Sequence, residues 1–321
     1  MSSDRPILIC DVANIFIRNY AAFPSMSHNG HQMGGCVGTL KMLRRLVQEL
    51  QPKQVYMIWE SGGSQKRRAI YSDYKLGRRP AKLNRFYEDD IPESEDNIQQ
   101  QQVALLKLLG ALPVCQVYVS DCEGDDVIAY LCSKFKQENK IIVSSDKDFY
   151  QLLDDHTQIY SPHKKKCVTS SDIFEEYRIS ASNFAIAKAL CGDPSDNIPG
   201  VKGMGFKTAS KLYEILGLEQ DVLLQDVIDY SHAHKDESKF YKRVLDNLDD
   251  VKRNYRLIQL GSSTLSPHQA AKVDNQLSTF KPGVNKMLFV KLLIKEGLHD
   301  FDYENFFYSF NSIENIAQTN E

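Results

Sequence analysis

Four short apolar runs, at 7–11, 54–59, 114–119 and 140–144, most constrain what this chain can fold into. Each is strand-length, and each reads as a β-strand buried on both faces. Between them lie stretches with helical spacing. Leu40, Leu43, Leu46, Val47 and Leu50 mark one helix in 38–50; residues 96–109 form a second, closed by Gly110, and a third runs from about 125 to 136. Strands alternating with helices predict an α/β fold, a mostly parallel central sheet with helices on both faces. In such a sheet the carboxyl ends of the strands gather along one edge, and sites form there.

Most of the acids fall at that edge. Asp11 and Glu60 each end an apolar run, and Cys-Glu123-Gly-Asp125-Asp126 follows another. Ser-Ser-Asp146-Lys-Asp148 follows the fourth, and Gly-Asp193-Pro-Ser-Asp196-Asn comes later. Taken singly these have ordinary explanations: Asp125-Asp126 as a helix cap and first-turn acid, Asp146 and Asp148 as caps, Asp193 and Asp196 as turn formers. Taken together, nine carboxylates gathered in tight clusters repel one another unless cations lie among them. Oxygen ligands without His or Cys suit Mg²⁺, with Mn²⁺ as a substitute. The seven cysteines include no CxxC pair, so buried free thiols are expected rather than a zinc site or disulfide framework.

The net charge of −3 conceals a local excess of the opposite sign. Lys66, Arg67, Arg68, Lys75, Arg78, Arg79, Lys82 and Arg85 face a single acid, Asp73, over twenty residues interleaved with Tyr71 and Tyr74. The connection 61–93 is long, which marks a functional or disordered segment. A positive stretch beside an acidic metal site is what a phosphodiester substrate requires. Tyr20 and Phe23, after the first strand, are set either to stack on a base or to pack in the core. No run approaches the roughly 18 apolar residues of a membrane span, so no membrane partner and a cytoplasmic location are expected.

Beyond about residue 180 the pattern turns helical. A short helix at 184–190 leads into Gly200-Val-Lys202-Gly203-Met-Gly205-Phe-Lys207, whose glycines allow close approach of backbone to phosphate ahead of a helix at 207–216. The remainder to 310 reads as helices with loops near 262–267 and 281–283. Tyr303-Glu-Asn-Phe306-Phe307-Tyr-Ser-Phe310 reads as aromatics packing back on those helices, with a sliding-clamp peptide as the alternative.

At these motifs the chain resembles the 5′-nuclease superfamily, which includes flap endonucleases and the 5′-nuclease domain of bacterial DNA polymerase I. The matching pieces are Ile-Cys-Asp11, Tyr74-Lys75-x-x-Arg78, Cys-Glu123-Gly-Asp125-Asp126, Ser-Asp146-Lys-Asp148 and Gly-Asp193-x-Ser-Asp196-Asn-Ile-Pro-Gly, in the family's order. The stretch from Tyr160 through the lysines at 164–166 further resembles phage ribonuclease H-type 5′→3′ exonucleases. The resemblance implies that Asp11, Glu60, Glu123, Asp125, Asp126, Asp146, Asp148, Asp193 and Asp196 surround two or more divalent ions. It implies a helical arch at about 61–93 carrying Tyr74, Lys75 and Arg78, with Lys75 at the scissile phosphate and Arg67 helping to stabilise its charge. DNA contacts are expected from Arg68, Tyr74, Arg78, Arg79, Tyr20, Gly200, Lys202, Gly203, Gly205 and Lys207. Residues 184–216 would form a helix-three-turn-helix element, with a possible K⁺. Glu60 departs from the family's usual Asp.

The implied organisation is an α/β nuclease domain over 1–180, a helical DNA-binding region over 181–310 and a mobile tail over 311–321. The implied protein is a monomeric 5′→3′ exonuclease and flap endonuclease, in a bacterial or phage-infected cell. It would act on DNA flaps, nicks and ends and on RNA–DNA duplexes, give 5′-phosphate products and remove replication primers, with a sliding clamp or single-stranded-DNA-binding protein as partner. The alternative is a DNA-junction binding protein with weakened chemistry, for which Glu60 is the only sequence support.

Overall fold

The computed structural model describes residues 5–22, 26–60, 62–77, 95–261, 264–311 and 313. Strands β1 (Ile7–Asp11), β2 (Gln54–Trp59), β3 (Cys115–Tyr118) and β4 (Lys140–Val143) fall on the four apolar runs. They are joined by β5 (Thr157–Ser161) and β6 (Lys166–Val168), a hairpin the sequence reading left out, in a sheet ordered β3-β2-β1-β4-β5-β6. All pairings are parallel except β5 with β6. The chain builds outward from β1 to β3 on one side and from β4 to β5 on the other. The order therefore reverses between β1 and β4, the place where crevices form in such sheets.

Alternation along each strand divides the core in two. Ile7, Ile9, Tyr56, Ile58, Val117 and Ile142 face α5 (Gly124–Lys134) and the later helices. Leu8, Cys10, Val55, Met57, Ile141 and Val143 face α1 (Val12–Ala22), α2 (Gly34–Leu50) and α4 (Glu95–Leu109). Ile7, Leu8, Ile9 and Cys10 are buried, and each large aliphatic contributes about 1.5–3 kcal/mol. Short α3 (Gln65–Ile70) opens the basic stretch. The expected arch at 61–93 includes residue 61 and residues 78–93, which lie outside the described residues; Phe23, most of the tail and the loop at 262–263 do too.

Helix α6 (Ser170–Tyr177) leads to α7 (Phe184–Cys191), a two-residue hairpin of β7 (Gly192–Asp193) with β8 (Ile198–Pro199), and α8 (Phe206–Leu212). Helices α9 (Leu224–Ala233), α10 (Lys239–Asp246) and α11 (Leu248–Ile258) pack beside them. Helix α12 (Pro267–Thr279) covers the sheet's free edge: Gln276 accepts from the Tyr118 amide at 2.9 Å and donates to its carbonyl at 3.0 Å. This satisfies backbone groups that an edge strand leaves open. Helices α13 (Lys286–Lys295) and α14 (Tyr303–Tyr308) close the opposite face, where buried Phe306 and Phe307 pack on Phe289 and buried Phe310 packs on Phe306. Those rings are committed to the core, so packing rather than the clamp-peptide reading describes them. The seven cysteines are free thiols. Among the described residues no helix is long and apolar enough to cross a membrane.

Candidate active site

The carboxyl ends of the parallel strands border an open cleft of about 620 Å³, lined by Asp11, Glu60, Lys75, Glu123, Asp125 and Asp146. Asp11 ends β1 at the order reversal. It accepts from the Asn14 amide at 3.1 Å and the Ser144 hydroxyl at 3.0 Å, which fixes its carboxylate between β1 and β4. Asn14 in turn accepts from the Ser145 amide at 3.0 Å. Ser144 also accepts from the Asp146 amide, and Asp146 accepts from the Asp148 amide at 2.9 Å, starting the 3₁₀ turn Lys147–Leu152.

These acids are held together at an electrostatic cost. Burial raises the Asp11 carboxyl to about 6, and Asp146 and Glu60 add to the rise against the two hydrogen bonds. Burial likewise pushes Asp125 well up, reinforced by Asp146 and Asp11. Asp146 is raised by burial and by Asp196 and Asp193, although Lys188 and Lys75 oppose this. Like charges in a partly dry cleft disfavour ionisation of each other. The all-oxygen donor set and its excess negative charge fit a hard divalent cation.

A second group lies beside the first. One oxygen from each of Asp148, Asp193 and Asp196 comes within 4.8 Å of the others. Here the chain supplies its own cation: Lys188, buried on α7, pairs with Asp148 and, at 2.6 Å, with Asp193. Despite burial, Asp193 is held below the usual carboxylate range by Lys188 and Ser195. Sequence reading missed Lys188. Its signal was a single lysine in the otherwise apolar helix Phe-Ala-Ile-Ala-Lys-Ala-Leu-Cys, since a buried lysine needs a partner.

Lys75 reaches the cleft from the turn after α3. Its ammonium lies 2.9 Å from Glu123 and 3.8 Å from Asp196. Burial would lower its pKa, but Glu123, Asp125 and Asp196 outweigh that and keep it charged. Its backbone is left-handed, φ 57°, a conformation costing about 1–2 kcal/mol for a non-glycine residue.

The structure places several expected residues differently. Arg67 is buried: both terminal nitrogens bind Asp126 at 2.7 Å, one also reaches Glu123 at 3.2 Å, and Nε donates to the Leu257 carbonyl. A guanidinium so engaged does not face an incoming phosphate. Asp126 is correspondingly committed, with both oxygens on Arg67 and one accepting from the Glu123 amide as α5 begins, so it is a structural cap and ion-pair partner rather than an open ligand. Tyr74 is buried with its hydroxyl donating to Glu123 at 3.0 Å, which turns it inward rather than toward DNA. Tyr20 is fully buried, stacked on Phe16 within α1, which removes it as a base-stacking platform. Arg68 is exposed and donates to the Gly62 carbonyl. Arg78 and Arg79 lie outside the described residues.

The glycine turn faces solvent: Gly200, Lys202, Gly203, Gly205 and Lys207 are all exposed. A Cβ on Gly200 would lie 2.0 Å from the Cys191 carbonyl oxygen, so only glycine fits where the chain crosses α7's end. Gly203 has φ 82° and rests near Phe240 of α10, and Arg243 donates to the Lys202 carbonyl at 2.9 Å.

Residues 6–178 match the family model for the 5′-3′ exonuclease N-terminal resolvase-like domain, and 179–279 match the 5′-3′ exonuclease C-terminal SAM fold. A 5′-3′ exonuclease of Aquifex aeolicus is 26% identical over 91% of this chain and 95% of its own length. The flap endonuclease Xni of Shewanella loihica is 28% identical over 79% of this chain and 90% of its own. A bacteriophage T5 flap endonuclease, solved as a pseudo-enzyme–product complex with DNA and metal ions, shares the fold: TM-score 0.62, 19% identity, covering 98% of this chain and 100% of that one.

Proposed function

From the chain's membership of the 5′-3′ exonuclease family of metal-dependent nucleases, we propose that it cleaves phosphodiesters at 5′ flaps and 5′ ends of DNA, and of RNA annealed to DNA. Products would carry a 5′-phosphate, and removal of replication primers is the role that fits this specificity. The observation that carries the reading is the trio Asp11, Asp125 and Asp146, all raised despite the nearby lysines, in a cleft that Lys75 enters from one side.

In this reading Asp11, Asp125 and Asp146 hold Mg²⁺ or Mn²⁺, with Glu60 and Glu123 at the border and Asp148, Asp193 and Asp196 as a further group. When bound, the ion supplies Lewis acidity toward the phosphate and makes a water acidic enough to attack near neutral pH. The chain's own contributions are positional. Lys75 leaves Glu123 for the non-bridging oxygens, where its charge counts most as the transition state develops. Gly200–Gly205, with Lys202 and Lys207, lies along the duplex backbone and sets which phosphate reaches the cleft; K⁺ in that turn belongs to the same proposal. Arg67 and Tyr74 keep Glu123 oriented, and act on the reaction only through it.

The test is release of 5′-phosphorylated product from a 5′-flap duplex with Mg²⁺, compared with nicked and RNA-primed duplexes. Tight flap binding without cleavage in either Mg²⁺ or Mn²⁺ would return the chain to the junction-binding reading. Lys75→Ala should lower the single-turnover rate far more than flap affinity. An unchanged rate removes Lys75 from the reacting centre.

A further inference from the structure

The turn carrying Lys75 is fastened to the hairpin that precedes the glycine turn. The Lys75 amide donates to the Asp196 carbonyl at 2.9 Å, and the Asn197 side-chain amide donates to the Asp73 carbonyl at 2.9 Å. The Asp73 carbonyl also accepts from the Leu76 amide at 3.0 Å, so it closes the local turn and receives the cross-link at one point. The two residues at this junction, Lys75 (φ 57°) and Asn197 (φ 59°), share the left-handed conformation that non-glycine residues seldom adopt and asparagine adopts more readily. Residues 72–77 are turns without a regular element, whereas Asn197 caps the three-residue 3₁₀ turn Pro194–Asp196 inside the β7–β8 hairpin.

The hairpin itself is stiff. Gly192 and Gly200 cross so closely that a Cβ on Gly192 would meet the Gly200 nitrogen at 2.3 Å. Asp193 ties down Ser195 through both its amide, 2.8 Å, and its hydroxyl, 2.6 Å. On the far side, Asn254 of α11 donates to the carbonyls of Ala189 and Pro199. The same short piece of chain therefore leads directly into the exposed turn at 200–205 and supports the backbone of Lys75.

We propose that Asn197 is a positioning residue that fixes Lys75 over the cleft relative to the duplex-binding glycine turn. Where the duplex seats and where the ammonium points are then set by one rigid hairpin rather than by two independent loops. The idea rests on the reading of Lys75 as the phosphate contact. Asn197 is exposed and makes no packing contribution to the core, so its side chain can be changed without opening a cavity.

The experiment uses the full chain with Asn197→Gly, which keeps the left-handed backbone and deletes the donor, and Asn197→Asp, which sets an acceptor against the Asp73 carbonyl. Each is measured alone and combined with Lys75→Ala on a 5′-flap duplex with Mg²⁺. Single-turnover cleavage should fall on the order of tenfold, since a slightly misplaced group near a reacting centre costs rate steeply. Flap affinity should be unchanged, amide exchange over residues 72–77 should quicken, and neither substitution should cost further rate once Lys75 is alanine. An equal loss in the Lys75→Ala background, a loss explained by weaker flap binding, or unchanged rate and exchange would each overturn the proposal. If Lys75→Ala alone cleaves at full rate, the Lys75 reading fails instead, and the exchange measurement still decides whether Asn197 holds the turn.

Discussion

The acids at the strand ends and the acids around them are held in opposite ways. In the cleft, Asp11, Asp125 and Asp146 lie together, and burial with repulsion from neighbouring carboxylates raises all three. At its border several carboxylates have a resident cation: Glu123 and Asp126 share Arg67, and Asp148 and Asp193 share Lys188. Among the described residues no cation forms a direct ion pair with Asp11, Asp125 or Asp146, although Lys75 stands nearby. A buried charge with an internal partner is part of the architecture; one without is costly unless something arrives from solution. Under the proposed function, charge compensation, more than the presence of acids, separates the part of this cluster that builds the protein from the part that would hold an ion.

The sharpest contrast is between Asp125 and Arg67. Asp125→Asn should cut flap cleavage by roughly 10³-fold or more, since a divalent ion contributes several kcal/mol to the transition state. The same change should raise the unfolding midpoint of the metal-free protein, because it relieves repulsion. A stability loss in chelator would show that Asp125 has a structural partner after all. Arg67→Met should instead destabilise the fold by about 3–5 kcal/mol, as removing one member of a buried pair strands the other. Urea unfolding measures this. If Arg67→Met left stability intact and abolished cleavage, the guanidinium would belong at the phosphate.

Lys188→Met is the intermediate case. It leaves Asp148 and Asp193 facing each other without their lysine, and should cost about 1.5–3 kcal/mol in metal-free protein, the worth of hydrogen bonds to charged groups. Unlike the Arg67 loss, this one should be largely restored by added Mn²⁺, whose binding by calorimetry should tighten. A deficit insensitive to Mn²⁺ would place Lys188 with Arg67, as a purely internal partner.

These distinctions were only partly legible in the sequence. The four strands were, because residues buried on both faces of a parallel sheet leave uninterrupted apolar runs. The acids at their ends followed from the same logic. What the sequence hid was pairing across distance: Arg67 and Asp126 stand 59 positions apart, and only the order of strands brings them together. A basic stretch offers no sign of which arginine turns inward. Tyr20, which the sequence leaves open between base stacking and core, is a different case. Val12, Ile15, Phe16 and Tyr20 repeat at helical spacing and form the buried face of α1, a pattern present in the letters and readable as core. The β5–β6 hairpin escaped because Thr157, Gln158 and the lysines at its turn dilute the apolar signal on an edge pair.

The two kinds of acid should also answer pH with opposite signs. A carboxyl raised in the folded state binds its proton more tightly there than in the unfolded chain, where it titrates near 3.9. The stability it contributes is complete below that value and is lost as pH rises through the folded pKa, about 6 for Asp11. Asp193, held low by Lys188, contributes stability above the unfolded value and loses it as pH falls through its depressed one. In chelator, wild-type protein should therefore lose about 1–2 kcal/mol relative to Asp11→Asn between roughly pH 4 and 6, an amount reduced from the full shift by solvent at the open cleft. With Mn²⁺ present the difference should shrink or reverse, because the ion favours the ionised carboxylate. Urea unfolding of both proteins across that window, with and without metal, measures the slope directly. A wild-type advantage that grows with pH in chelator would mean that Asp11 is compensated within the fold, like Asp126 and Asp193.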